Sequence, residues 1–193
     1  MKKTLLPLCF LALVIISCQQ QSSELDKIIT QCYDTTYQEK GYDIRAIIDS
    51  YEKELIKEGV LEDSSGESYL EVLEKIFKDK NFRITTTAFI DKDPFLKVDN
   101  ETKLAIFQCQ NKMITSLKEQ DPKWQTVFAD APSPEIGTPD QEYQKIYNEM
   151  TETLSEADLN SYYFKLIMFK HFDGMNTHFR DRMSMPTAAT DSL

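Results

Sequence analysis

Apolar residues recur every three or four positions along most of this chain, and that spacing constrains the fold more than any other feature. The interval matches the 3.6-residue turn of an α-helix, so each stretch can bury one stripe and wet the other. Ile44, Ile47, Ile48, Tyr51 and Leu55 trace one such stripe, with Asp43 placed to cap its start and Gly59 its end. A first helix is predicted from Glu24 to about Tyr37, ended by Gly41. Ser68 and Glu71 have the spacing of a capping box for a helix carrying Leu70, Leu73, Ile76 and Phe77. Further helices are predicted from Asp99 or Asn100 to Lys118, from Asp121-Pro122 to Phe128, and from Thr138-Pro139 to Leu154. Ser155 with Asp158 forms a second capping pattern, opening a helix with Tyr162, Tyr163, Phe164, Leu166, Met168, Phe169 and Phe172. Apolar nearly all round, that helix should be the most buried element.

One segment departs from the period. Phe82, Ile84, Thr86, Ala88 and Ile90 alternate with more polar residues, and Thr85 to Thr87 suit extended backbone. No partner strand is apparent, so a segment laid over helices competes with a strand here. The expected fold class is therefore mainly α: a single helical-bundle-like domain of about six helices, with one extended segment near residues 82–90. The domain should span residues 24–182. Residues 183–193, polar and small with Pro186 inside, read as a disordered tail.

The N-terminus has a different organisation. Lys2 and Lys3 precede an apolar run from Leu5 to Ile16, followed by Ser17 and Cys18. That order of charge, apolar stretch and small residue is a secretory signal peptide. The run is too short for a membrane span, which needs about 20 apolar residues. Its ending, Ile15-Ile16-Ser17-Cys18, resembles the lipobox of bacterial lipoproteins. The resemblance implies that residues 1–17 are removed as a signal peptide and that Cys18 carries lipid. Residues 18–23 then form a tether to a membrane of the bacterial cell envelope, periplasmic or surface face being open.

The formal net charge of −10 becomes −12 once Lys2 and Lys3 leave with the signal. An acidic surface repels phosphate backbones, which argues against nucleic acid as a partner. The membrane, through the lipid on Cys18, and an envelope protein are the partner classes that remain. Cys32 and Cys109 both fall on apolar helical stripes. The envelope permits a disulfide between them, and two separate buried thiols fit the same stripes equally.

Motifs that carry chemistry are scarce. His171 and His178 lack the i, i+4 relation of ligands on one helix face, although Asp173 and Asp181 lie close by. Asp91, Asp93, Asp99 and Glu101 lack the spacing and glycine of an EF-hand and read as a solvated acidic stretch. Ser50 and Lys53 have the serine–lysine spacing of penicillin-binding enzymes, without the partner motifs that give it meaning. Five glycines are few for phosphate-cradling turns. Neither a cofactor nor a metal is expected. Tyr42, Tyr69, Tyr143, Tyr147, Tyr162 and Tyr163 fit a groove lining, or core positions with hydroxyls at the rim. The expected function is a non-enzymatic accessory or binding module in the envelope; the alternative is a hydrolase-type enzyme whose site leaves no sequence motif.

Overall fold

In a computed structural model, the structure describes residues 23–79, 81–128, 147–148 and 150–174. The signal, the lipobox and residues 183–193 lie outside the described residues. The protein is mainly helical, and among the described residues no strand forms. No helix among them is long and apolar enough to cross a membrane.

The first helical run is α1 (Glu24–Ile28), a π-helical turn (Ile29–Asp34) and α2 (Thr35–Gln38). Ser23 caps it by accepting the Leu25 N–H. Gly41, at φ 80°, lets the chain turn off its end, where the Tyr42 N–H reaches the Tyr37 carbonyl. Then α3 (Ile44–Lys57) begins at Asp43, whose carboxylate accepts the Ala46 N–H. It buries Ile44, Ile48, Tyr51 and Leu55.

The start of α4 (Gly66–Lys78) corrects one expectation. Ser65, rather than Ser68, is the cap, accepting the Ser68 N–H. The Ser68 hydroxyl instead accepts the Glu62 N–H at 2.8 Å, which closes the preceding turn. The helix begins earlier because Gly66 must pass close to a neighbour. A Cβ added there would lie 2.3 Å from Leu159 Cβ. Only glycine allows that approach.

Residues 82–88 are extended and lie over the helices. Ile84, Thr86 and Ala88 are buried while Thr85 and Thr87 are exposed, so the alternation is real, and Ile84 makes an isolated bridge rather than a strand. Where the segment ends, Asp173 accepts the N–H groups of Phe89 (2.6 Å) and Ile90 (2.8 Å) at the 3₁₀ turn Phe89–Asp91. A second 3₁₀ turn, Pro94–Leu96, is capped by Asp93 and leads to α5 (Asn100–Gln120), capped by Asp99. Then comes α6 (Lys123–Val127). Residues 147–148 and 150–153 are helical.

The Ser155–Asp158 capping box forms, but it opens only the short α7 (Glu156–Leu159). The expected apolar helix restarts as α8 (Tyr162–Asp173), with Ser161 as its own cap. It buries Tyr163, Phe164, Leu166, Met168, Phe169 and Phe172. Its aromatic rings meet those of α3, α4 and the 3₁₀ turn: Phe169 lies 4.8 Å from Tyr51, 5.2 Å from Phe89 and 5.6 Å from Tyr69. Edge-on and tilted pairs at these spacings give this core its main directional contacts.

The first helical run and α5 pass in opposite directions. Lys40 pairs with Asp99 at one end, and Cys32 is bonded to Cys109 midway. At the other end Ser23 and Lys123 converge on Asp158. The bundle thus has two defined ends, separated by about 31 Å, the length of a 21-residue helix.

Candidate functional site

Two clefts lie at these opposite ends. The first, about 570 Å³, is walled by the start of α4 and by α7, and Glu67, Glu71, Glu74 and Glu156 surround Leu70 and Leu159. It adjoins the Ser23 end, since Asp158 belongs to α7. The Gly66 N–H donates to Asn160 at 2.9 Å and fixes its floor. The second, about 510 Å³, lies at the Lys40–Asp99 end between Tyr42, Asp43, Ile47, Asp91, Lys92 and Lys97. One cleft is acidic; the other carries both signs.

Between them runs a polar seam that sequence reasoning missed. Arg45, Asp49 and Glu52 follow one face of α3 and meet Tyr162 and Lys165 of α8. Arg45 donates to Asp34 (2.8 Å) and Thr30 (3.0 Å), and its guanidinium lies 4.7 Å from the Tyr162 ring centre. The Tyr162 hydroxyl donates to Asp49 at 3.3 Å. At the buried end, Lys165 lies 2.6 Å from Glu52, whose same oxygen accepts the Tyr69 hydroxyl at 2.7 Å. Burial first, and the Glu52 carboxylate second, push the Tyr69 pKa far above the usual tyrosine range. The phenol is therefore a permanent donor. The sequence did hold a signal: Lys165 is the one cation in the otherwise apolar or aromatic stretch 162–169, and Glu52 sits between Ile48 and Leu55.

Two more buried carboxylates join distant parts of the chain. Asp158 accepts the Ser23 hydroxyl (2.7 Å) and the Ser155 N–H and hydroxyl, and Lys123 stands 3.4 Å away. Burial alone would raise its pKa; the hydrogen bonds from Ser155 and Ser23 outweigh burial and leave it below the ordinary value. In Asp173 the balance reverses. Burial raises its pKa to about 6, with Asp91 and Asp93 adding repulsion, although Ile90 and Phe89 donate to it. A carboxylate at a helix C-terminus already opposes the helix dipole, which was the signal available in the sequence.

Among the residues the sequence singled out, Cys32 and Cys109 are joined in a disulfide with Cα atoms 5.5 Å apart. Cys18, Tyr143, His178 and Asp181 lie outside the described residues, and His171 is exposed at the end of α8. Asp93 and Asp99 act as caps, and Asp99 also pairs with Lys40. Among the described residues, no group of three or more His, Cys, Asp or Glu side chains is placed to hold a metal ion. Of the six tyrosines, Tyr69 and Tyr163 are buried in the core, while Tyr42 and Tyr147 border the second and first clefts. Leu96, Leu104 and Phe107 are large apolar side chains more than half exposed, the last two one turn apart on α5.

No protein-family model matches the chain, and no curated protein or solved structure matches it either.

Proposed function

We propose that this protein is a lipoprotein held to a bacterial envelope membrane by lipid on Cys18, and that its helical domain works there as a non-enzymatic binding module. The observation that carries the reading is where packing begins. Ser23, five residues past Cys18, is already buried and bonded to Asp158. A lipobox followed so soon by a packed domain suits a body carried at a membrane surface. One acyl chain holds a protein only marginally, whereas two or more on one cysteine anchor it durably. The exposed Leu96, Leu104 and Phe107 give such a body apolar side chains for a partner protein.

The test is fractionation of the native and Cys18→Ala chains expressed in a lipoprotein-processing bacterium, with a palmitate analogue supplied. Label on the native chain only, and release or non-processing of Cys18→Ala, are expected. Normal cleavage with membrane retention of Cys18→Ala would overturn the anchor. Crosslinking the lipidated protein in its own cells then tests for a partner.

A further inference from the structure

Where the domain is held matters as much as that it is held. The fixed point is the end of the bundle at which Ser23 enters. Ser23 caps α1, donates its hydroxyl to Asp158, and shares that carboxylate with Ser155 and Lys123. The Tyr162 N–H donates to Asp26 (2.8 Å), locking the start of α8 to the same end. From Cys18 to Ser23 the chain spans at most about 18 Å, whatever its conformation.

We propose that the end of the bundle formed by Ser23, Lys123 and Asp158 is apposed to the lipid surface that carries Cys18, so that the Lys40–Asp99 end points away from it. The proposal rests on the lipid anchor above and adds an orientation to it. The tether bounds one end only: the Ser23 end stays within about 18 Å of the anchor, while the far end can stand about 31 Å beyond. Charge selects the upright arrangement over one lying flat. Lying flat would bring more of the −12 left after Lys2 and Lys3 are removed within a screening length, about 10 Å, of anionic headgroups than resting on one end does. The acidic cleft beside α7 then opens next to the membrane, and the mixed-charge cleft at Asp43, Lys92 and Lys97 faces outward. A partner for the outward cleft must come within roughly 50 Å of the headgroups, the sum of tether and bundle.

The experiment uses the full lipidated chain in vesicles of phosphatidylethanolamine and phosphatidylglycerol carrying an acceptor dye on the headgroups. A donor dye is placed at Glu156→Cys or at Glu101→Cys. Both positions are exposed first-turn glutamates, at the Ser23 end and the Asp99 end. Energy transfer from position 156 is expected to exceed that from position 101 by about twofold or more, given the bundle length. A Gly-Ser insertion of about 20 residues between Gln21 and Ser22 should erase the difference. Equal transfer from the two uninserted chains, or greater transfer from position 101, would overturn the orientation while leaving the anchor intact. Failure of the native chain to float with vesicles would remove the anchor itself, and the orientation with it.

Discussion

Glu52→Ala should be among the most damaging single substitutions in this domain, although it creates only a small void. Its carboxylate neutralises Lys165 at 2.6 Å and accepts the Tyr69 hydroxyl at 2.7 Å, with side chains only 8% (Glu52) and 11% (Lys165) exposed. Removing one partner of a buried pair leaves an uncompensated charge, a loss of about 3–5 kcal/mol. The orphaned Tyr69 hydroxyl adds about 1–3 kcal/mol, overlapping in part with the first figure. Lys165→Met should cost less, because Glu52 keeps the Tyr69 hydrogen bond. Replacing all three groups together, as Glu52→Leu, Lys165→Met and Tyr69→Phe, should bring stability back to within about 2 kcal/mol of the parent, since apolar groups of similar volume substitute well for a buried pair. Urea unfolding with the disulfide intact measures each variant, with an unchanged denaturant slope as the check that only stability has moved. A loss below about 1 kcal/mol for Glu52→Ala, or losses from Glu52→Ala and Lys165→Met that simply add in the double variant, would show that the pair is solvated and that the seam is not coupled.

Three further outcomes follow from the same contacts. Leu166→Ala, at a side chain 1% exposed on the most buried helix, should cost about 2–5 kcal/mol in the same assay. Asp173 takes up a proton more readily when folded, near pH 6 against an ordinary 3.8, so its share of stability is complete at low pH and lost as pH rises through about 6. The parent should therefore weaken by up to about 3 kcal/mol between pH 4 and 7.5, and Asp173→Asn should flatten that slope. Asp158 and Asp99, both shifted below the ordinary value, act in the opposite sense and take stability away only below about pH 4. Reducing the Cys32–Cys109 bond, whose partners are 77 residues apart, should cost about 4 kcal/mol in the chain-entropy account; a loss under about 1 kcal/mol would mean that the reduced chain stays as constrained as the oxidised one.

The helices were legible because each declares itself locally. Asp43 and Asp99 cap where their spacing said, and the stripe from Ile44 to Leu55 is the buried face. Ser68 misled because the cap depends on a remote neighbour: Leu159 forces glycine at position 66, and the helix then starts at the serine before it. Residues 82–88 were ambiguous for a related reason. Their alternation identifies a half-buried extended backbone but cannot name what it packs on or what fixes its end, and Asp173, which holds the turn that follows, lies more than eighty residues away.

The polar contacts that organise the domain share this property. Ser23 with Asp158, Glu52 with Lys165, and Phe89 with Asp173 each join positions remote in sequence, and none has a period. What the sequence does show is the anomaly each creates: a lysine in an apolar helix, a glutamate beside an apolar stripe, an acid at a helix C-terminus. A buried charge is costly without a partner, so each anomaly implies a distant counterpart even where it cannot name one. By that argument the Ser23–Asp158 contact is more than a cap. It commits a buried carboxylate to holding Ser23, the last residue of the expected tether, and so fixes which end of the bundle a lipid on Cys18 would draw toward a membrane.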